Sequence, residues 1–192
     1  APDRDARARA RLAGMAAPMS FETLVDTALR DPLGTASNAR VIGYVGADVP
    51  IELILAAQAQ PVRLNGRSGL STTNADHFVE ASFSISSRRI AEQWLAGEFD
   101  GLQSVIFSRS DDSAQRLYYY ICELQRTGQC AGPTPLLFDI AGIQRASSLA
   151  YTVESTRRLS ASLGTMNEQL PRAIAQTQRR SQLLTRFGEQ PA

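Results

Sequence analysis

The chain contains no lysine. All 20 basic residues are arginine, set against 19 acidic residues, and the formal net charge is +1. A Schiff-base lysine and a lysine-bearing P-loop are therefore excluded, and any anion must be held by guanidinium or backbone N–H groups. A GC-rich coding sequence accounts for this bias without invoking function. The near-zero net charge supplies no global field toward nucleic acid, so no nucleic-acid partner is expected. Cysteine is nearly absent too: Cys122 and Cys130 are the two in the chain, and their spacing is not CxxC. With His77 the sole histidine, a structural zinc site has no partners, and two cysteines cannot build a four-thiolate cluster. No metal site is expected in this chain. No apolar run approaches the roughly 20 residues of a membrane span, so no membrane partner is expected either. The opening APDRDARARARLAGMAAPM carries two aspartates and no apolar core, which argues against a secretory signal. Nothing demands an oxidising compartment, and a cytoplasmic protein is expected. There is no GxGxxG and no GxxxxGK[ST], and Ser68-Gly69-Leu70-Ser71 is not a nucleophile elbow.

What is present reads as one globular domain with helical additions. The chain has 192 residues, 43% hydrophobic and 20% charged. Residues 1–39 read as an arm and a helix, with Ser20 as cap over 21–30 and Phe21, Leu24, Val25 and Leu29 on one face. Arg40 to Gly66 is a complete βαβ unit. Val41–Val45 is a β-type run, Gly46-Ala47-Asp48 a turn, Pro50 a first-turn helix signal, Ile51 to Leu55 an apolar helix, and Pro61–Leu64 a second strand. A helix is expected from Ser86 or Ser87 to Leu95, ended by Gly97, and a third strand over Leu102–Phe107. The polar turn Ser108–Ser113 then leads a helix bearing Leu117, Tyr120, Ile121 and Leu124, stopped near Gly128, and Leu136–Ile140 is the fourth strand. Two long helices follow. One runs from about Arg145 to Leu163 with Leu149, Val153, Thr156, Leu159 and Leu163 as its stripe. The other starts near Asn167, with Pro171 in its first turn and Leu170, Ile174, Leu183 and Leu184 apolar.

Strands alternating with helices predict an α/β fold: a flavodoxin-like or Rossmann-like parallel sheet of about four strands, order 2-1-3-4, with helices on both faces. The α/β domain spans 40–143, and the helices of 144–192 pack on it. Ligands of such sheets bind beyond the carboxyl ends of the strands, at the switch point between strands one and three. That rule gathers Gly46, Asp48 and Glu52 from the first loop and helix with Ser108, Arg109, Ser110, Asp111 and Asp112 from the third. Gly46, Asp48, Ser108, Arg109, Ser110 and Asp112 are the candidate ligand-binding residues; Glu52 and Asp111 are the candidate catalytic ones. Alternatives stand beside each. Glu52 either bonds a ligand or shuttles a proton, or is a first-turn glutamate favoured by the helix dipole. Asp111 and Asp112 form a paired acid site or cap a helix. Arg109 binds an anion or is solvated. Tyr118-Tyr119-Tyr120 gives one core ring and two partly exposed ones, or an interface.

RVIGYVGADVPIELILAAQAQPVRLNG resembles the first strand–helix–strand of the 2-hydroxyacyl-CoA dehydratase and benzoyl-CoA reductase subunits, which reads like GY…VP.E.I.AAG..PVRL.G. WLAGEFD, VIFSRSDDSAQRLYYYI and LLFDIAGIQRASSLAYTVESTRRLSASLG continue the similarity over about residues 40–187. By this resemblance the protein is a dehydratase-like component that removes water from an (R)-2-hydroxyacyl-CoA through a ketyl radical, in a heteromer served by an ATP-driven activator. The family holds a [4Fe–4S] cluster on cysteine thiolates. Here the first cysteine slot, Phe83 to Arg88, has none, and the slot before the aspartate after strand three holds Asp111 or Ser110. Serine and aspartate are hard oxygen donors and poor substitutes for thiolate. The resemblance thus implies either a degenerate dehydratase component without its own cluster or a non-catalytic acyl-CoA-binding or scaffolding subunit. Its partner is expected to be another subunit or a second copy.

Overall fold

The computed structural model describes residues 40–188, together with Ser20, Thr23, Thr27, Leu33 and Gly34. The chain divides into two compact units, Ala1–Thr35 and Ala36–Ala192. In the first, Ser20 Oγ accepts the Thr23 backbone N–H at 3.2 Å, and Thr23 and Thr27 are helical. Phe21, Leu24, Val25 and Leu29 lie outside the described residues.

The second unit is built on four parallel strands in the order β2-β1-β3-β4: β1 Val41–Val45, β2 Gln60–Arg63, β3 Ser104–Ser108 and β4 Thr134–Phe138. The helices are α1 Ile51–Ala56, α2 Ile85–Leu95, α3 Asp112–Arg126, α4 Ala146–Leu163 and α5 Leu170–Gly188. α1 packs with α4 and α5, whereas α2 packs with α3, so the sheet is covered on both faces. β1 and β3 are the central pair, Ile42 standing opposite Ser104 and Val45 opposite Phe107. Every residue of β3 is buried. Ile42, Ile54, Ile106, Phe138 and Leu163 form the core beneath α1 and α4. Trp94 is fully buried, tilted against Phe107 and edge-on to Phe99, and its indole N–H donates to the Ala131 carbonyl at 3.0 Å.

Several boundaries differ from those the sequence suggests. β4 begins two residues earlier than Leu136 and so includes Pro135, while β2, expected over Pro61–Leu64, runs Gln60–Arg63 and keeps Pro61. Both are edge strands, and their prolines sit where a missing N–H is harmless. Gln60 and Leu64 donate to the β1 side, so the backbone of Pro61 between them points outward. Arg109 donates to the Phe138 carbonyl and Thr134 to the Gln103 carbonyl, which leaves Pro135 outward in the same way. β3 starts at Ser104 rather than Leu102. α2 starts at Ile85, because Ser84 is its cap and accepts the Ser87 N–H.

The long helices depart further. In α4 the inward positions are Ser148, Ser155, Leu159 and Leu163, while Leu149 and Val153 are exposed. α5 faces α1 through Ala173 and Thr177, not through Ile174, Leu183 and Leu184. Its start is tied to the end of α1 by Met166 N–H to the Ala56 carbonyl and Thr165 Oγ1 to the Leu53 carbonyl. Thr177 meets Glu52 at the other end, so the two helices run antiparallel. At about 1.5 Å per residue, α5 is roughly three times as long as α1. Its residues from Gln178 to Arg186 are all exposed. Arg40 fastens the opposite edge of the sheet, donating to the Ala57 carbonyl at 3.1 Å and the Leu163 carbonyl at 2.7 Å, and to Gln103. A cation on the carbonyl ends of two helices is electrostatically favourable.

Gly46 has φ +103°, and a Cβ there would lie 2.4 Å from Ser108 Cβ. Gly46→Ala is expected to destabilise the protein by about 2–4 kcal/mol, combining left-handed strain with a clash that no rotamer relieves. Chemical denaturation with an unchanged m-value is the check; a loss under about 0.5 kcal/mol would contradict this geometry.

Candidate functional site at the carboxyl edge of the sheet

β1 and β3 leave the sheet side by side, and the first contact between their loops is the packing of Ser108 against Gly46. The close approach that glycine allows at position 46 is therefore taken by Ser108. The Ser108 hydroxyl donates to Asp48 Oδ1, lies 2.9 Å from the Ser110 hydroxyl and accepts the Ser110 N–H at 3.2 Å. Four of the residues expected at the switch point thus form one cluster: Gly46, Asp48, Ser108 and Ser110. The second oxygen of Asp48 is buried and has no hydrogen-bond partner, the one such side-chain atom among the described residues. A buried acceptor left in that state costs about 1–3 kcal/mol, so the cluster has one acceptor to offer a donor.

The other candidates are engaged elsewhere. Glu52 accepts the Thr177 hydroxyl at 2.8 Å and joins α1 to α5. Asp111 caps α3, accepting the Ala114 N–H at 3.0 Å. Asp112 is exposed, with Arg116 3.9 Å away. Arg109 turns to the far side of β3 and pairs with Asp139, which also accepts the Tyr151 hydroxyl. The hydrogen bond to Asp139 raises the pKa of both Arg109 and Tyr151.

The positions at which the resemblance would place thiolates have structural partners. Ser84 caps α2, its hydroxyl 2.9 Å from that of the buried Ser87, and Ser86 Oγ accepts the Gly66 N–H at 3.2 Å. Cys122 lies within α3. Cys130 precedes β4, at the amino edge of the sheet and away from this site. Burial raises both thiol pKa values, which disfavours the thiolate a metal needs. The donors present do not fit an iron–sulfur cluster. Among the described residues no group of three or more His, Cys, Asp and Glu could hold a metal ion, and His77 is exposed.

Three features are not apparent in the sequence. Glu92, largely buried, accepts Asn74 N–H at 3.0 Å, Ala75 N–H at 2.8 Å and Asn74 Nδ2 at 2.6 Å, and so pins the short turn Ala75–His77. Glu80 accepts the Tyr120 hydroxyl at 2.7 Å and Arg116 at 3.0 Å; the tyrosine bond, chiefly, lowers its pKa. Of the three tyrosines, Tyr118 packs on Phe107, Tyr119 is exposed and Tyr120 is anchored by Glu80. The third is a cavity of about 670 Å³ where β3 and β4 end, lined by Arg109, Ser110, Asp139 and the start of α4. Reading Asp139 and Ile140 as strand hides it.

No helix among the described residues is long and apolar enough to cross a membrane. The chain matches no protein-family model and no curated protein.

Asp111→Ala is expected to lower stability by about 1 kcal/mol through loss of the α3 cap, with Asp111→Asn retaining most of it. Urea denaturation of the two variants checks this. Equal stability of Ala and wild type would free Asp111 for a chemical role.

Proposed function

We propose that the chain is a 2-hydroxyacyl-CoA dehydratase-like component that binds an acyl-CoA thioester without carrying out the radical step itself. It works in the cytoplasm as a non-catalytic subunit, beside a partner subunit or a second copy. The observation that carries this reading is the orphaned Oδ2 of Asp48, an acceptor buried at the switch point. A 2-hydroxyl group is a donor that satisfies it, and in parallel α/β sheets this is where ligands bind. The structural duties of Ser84, Ser86 and Asp111 support the non-catalytic half of the reading, since each stands where the resemblance would require a thiolate and each is committed to a backbone N–H. No electron-transfer step is assigned to this chain. Glu52 and Asp111 keep positioning duties, and Asp112 and Arg109 flank the loop.

Calorimetric titration with an (R)-2-hydroxyacyl-CoA and with the same ester lacking the hydroxyl tests the reading. The hydroxy ester is expected to bind about tenfold more tightly, in keeping with one hydrogen bond to a carboxylate, and Asp48→Asn is expected to narrow the difference to less than about threefold. Equal affinities in the wild type would remove Asp48 from the ligand. Anaerobic treatment with iron and sulfide is expected to leave the protein without the broad visible absorption of a cluster. Stable incorporation of about four iron atoms per chain would refute the non-catalytic assignment.

A further inference from the structure

α1 is far shorter than the two helices that pack on it. It has 6 residues, against 18 in α4 and 19 in α5. All three are level at the amino edge of the sheet. There Arg40 bonds the carbonyls of Ala57 and Leu163, and the Met166 N–H bonds that of Ala56. α4 and α5 therefore both run on past the first turn of α1, by about 18 Å at 1.5 Å per residue.

Each long helix carries a leucine–threonine–leucine row at seven-residue steps, which is one stripe of a helix. On α4 the row is Leu149, Thr156 and Leu163; on α5 it is Leu170, Thr177 and Leu184. The members beside α1 are engaged. Leu163 is buried in the cluster with Leu53 and Ile54, Leu170 packs against that cluster, and Thr177 bonds Glu52. Leu149 and Leu184 continue the same stripes past α1 and are 68% and 60% exposed. Both stand two heptads from the leucine level with the end of α1, and so at one height. Val153, one turn from Leu149, is exposed as well. An apolar channel thus prolongs the place of α1, with the sides that a helix fills lower down.

The charge around this channel has one sign. Residues 145–188 hold seven arginines and two glutamates, whereas residues 40–144 hold eight arginines and eleven carboxylates. α5 has no acidic residue at all. Arg157 lies one turn from Val153, and Arg180 one turn from Leu184 on the same side, so both rims of the channel are cationic.

We propose that this channel takes an acidic amphipathic helix of a partner protein. Its apolar face covers Leu149, Val153 and Leu184, and its flanking carboxylates meet Arg157 and Arg180. Apolar anchors between charged rims are the usual terms on which a groove holds a helix. A second copy fits less well, because its own long helices would set arginine against arginine. The assignment does not rest on the acyl-CoA reading, and no thioester enters its test.

The test uses the full chain and two synthetic helices of about 15 residues, the length at which an isolated helix forms in water. Both carry leucine on one face; the other face is glutamate in one and lysine in the other. Fluorescence anisotropy is expected to show micromolar binding of the glutamate helix, with the lysine helix weaker by at least about tenfold. Leu149→Ser and Leu184→Ser, both changes at exposed positions, are each expected to weaken binding about tenfold, and Arg180→Gln about threefold. Tyr119→Ser removes an equally exposed ring on the opposite face of the sheet and is expected to change nothing. No binding of the glutamate helix, equal binding of the two helices, or an equal loss in Tyr119→Ser would each overturn the proposal. The unbound protein is expected to sediment as a monomer. A dimer that Leu149→Ser and Leu184→Ser both dissociate would assign the channel to a second copy instead and refute the acidic partner.

Discussion

The geometry of the carboxyl edge follows from one contact, the approach of Ser108 to the backbone of Gly46. Two adjacent parallel strands must end at the same level for their loops to meet, and the register of β1 on β3 ensures it. Because residue 46 has no side chain, the Ser108 hydroxyl reaches Asp48 on one side and Ser110 on the other. That hydroxyl joins the start of the first crossover to the start of the third. The orientation of α3 depends on the same join, since its cap Asp111 is the next residue after Ser110.

The sheet was legible from sequence because its signals are local and agree with one another. Val41–Val45 is apolar throughout, Gly46 ends it, Pro50 opens the next helix, and crossover handedness then leaves few topologies. The strand limits were harder, because proline usually marks a boundary. Pro61 and Pro135 fit inside strands here since each lies on an edge with its nitrogen turned outward. The terminal helices were only partly legible, for another reason. Leu159, Leu163 and Leu170 pack inward as their spacing suggests, but Leu149, Val153, Leu183 and Leu184 are exposed, and the rest of the inward faces is made of Ser148, Ser155, Ala173 and Thr177. Small residues let helices approach a sheet or another helix closely, and a search for large apolar side chains passes over them.

The candidate site was half legible. The switch-point rule brought Gly46, Asp48, Ser108 and Ser110 together, since it depends on topology alone. It could not say which way each side chain turns. Arg109 leaves for Asp139, Glu52 for Thr177, and Asp111 spends its carboxylate on its own helix. Such partners lie 30 to 125 positions away in the chain, or are backbone groups that any sequence offers. Short polar residues at helix starts serve capping and chemistry with the same atoms, and only the partner distinguishes the two uses.

The outward prolines of β2 and β4 have a consequence for association. An exposed sheet edge ordinarily invites a strand from another molecule, and the pairing needs an unbroken row of donors and acceptors. Pro61 and Pro135 each remove a donor from the outer row of a strand only 4 or 5 residues long. Each margin then offers a foreign strand an interrupted row of donors, so the four-stranded sheet resists growth at both sides.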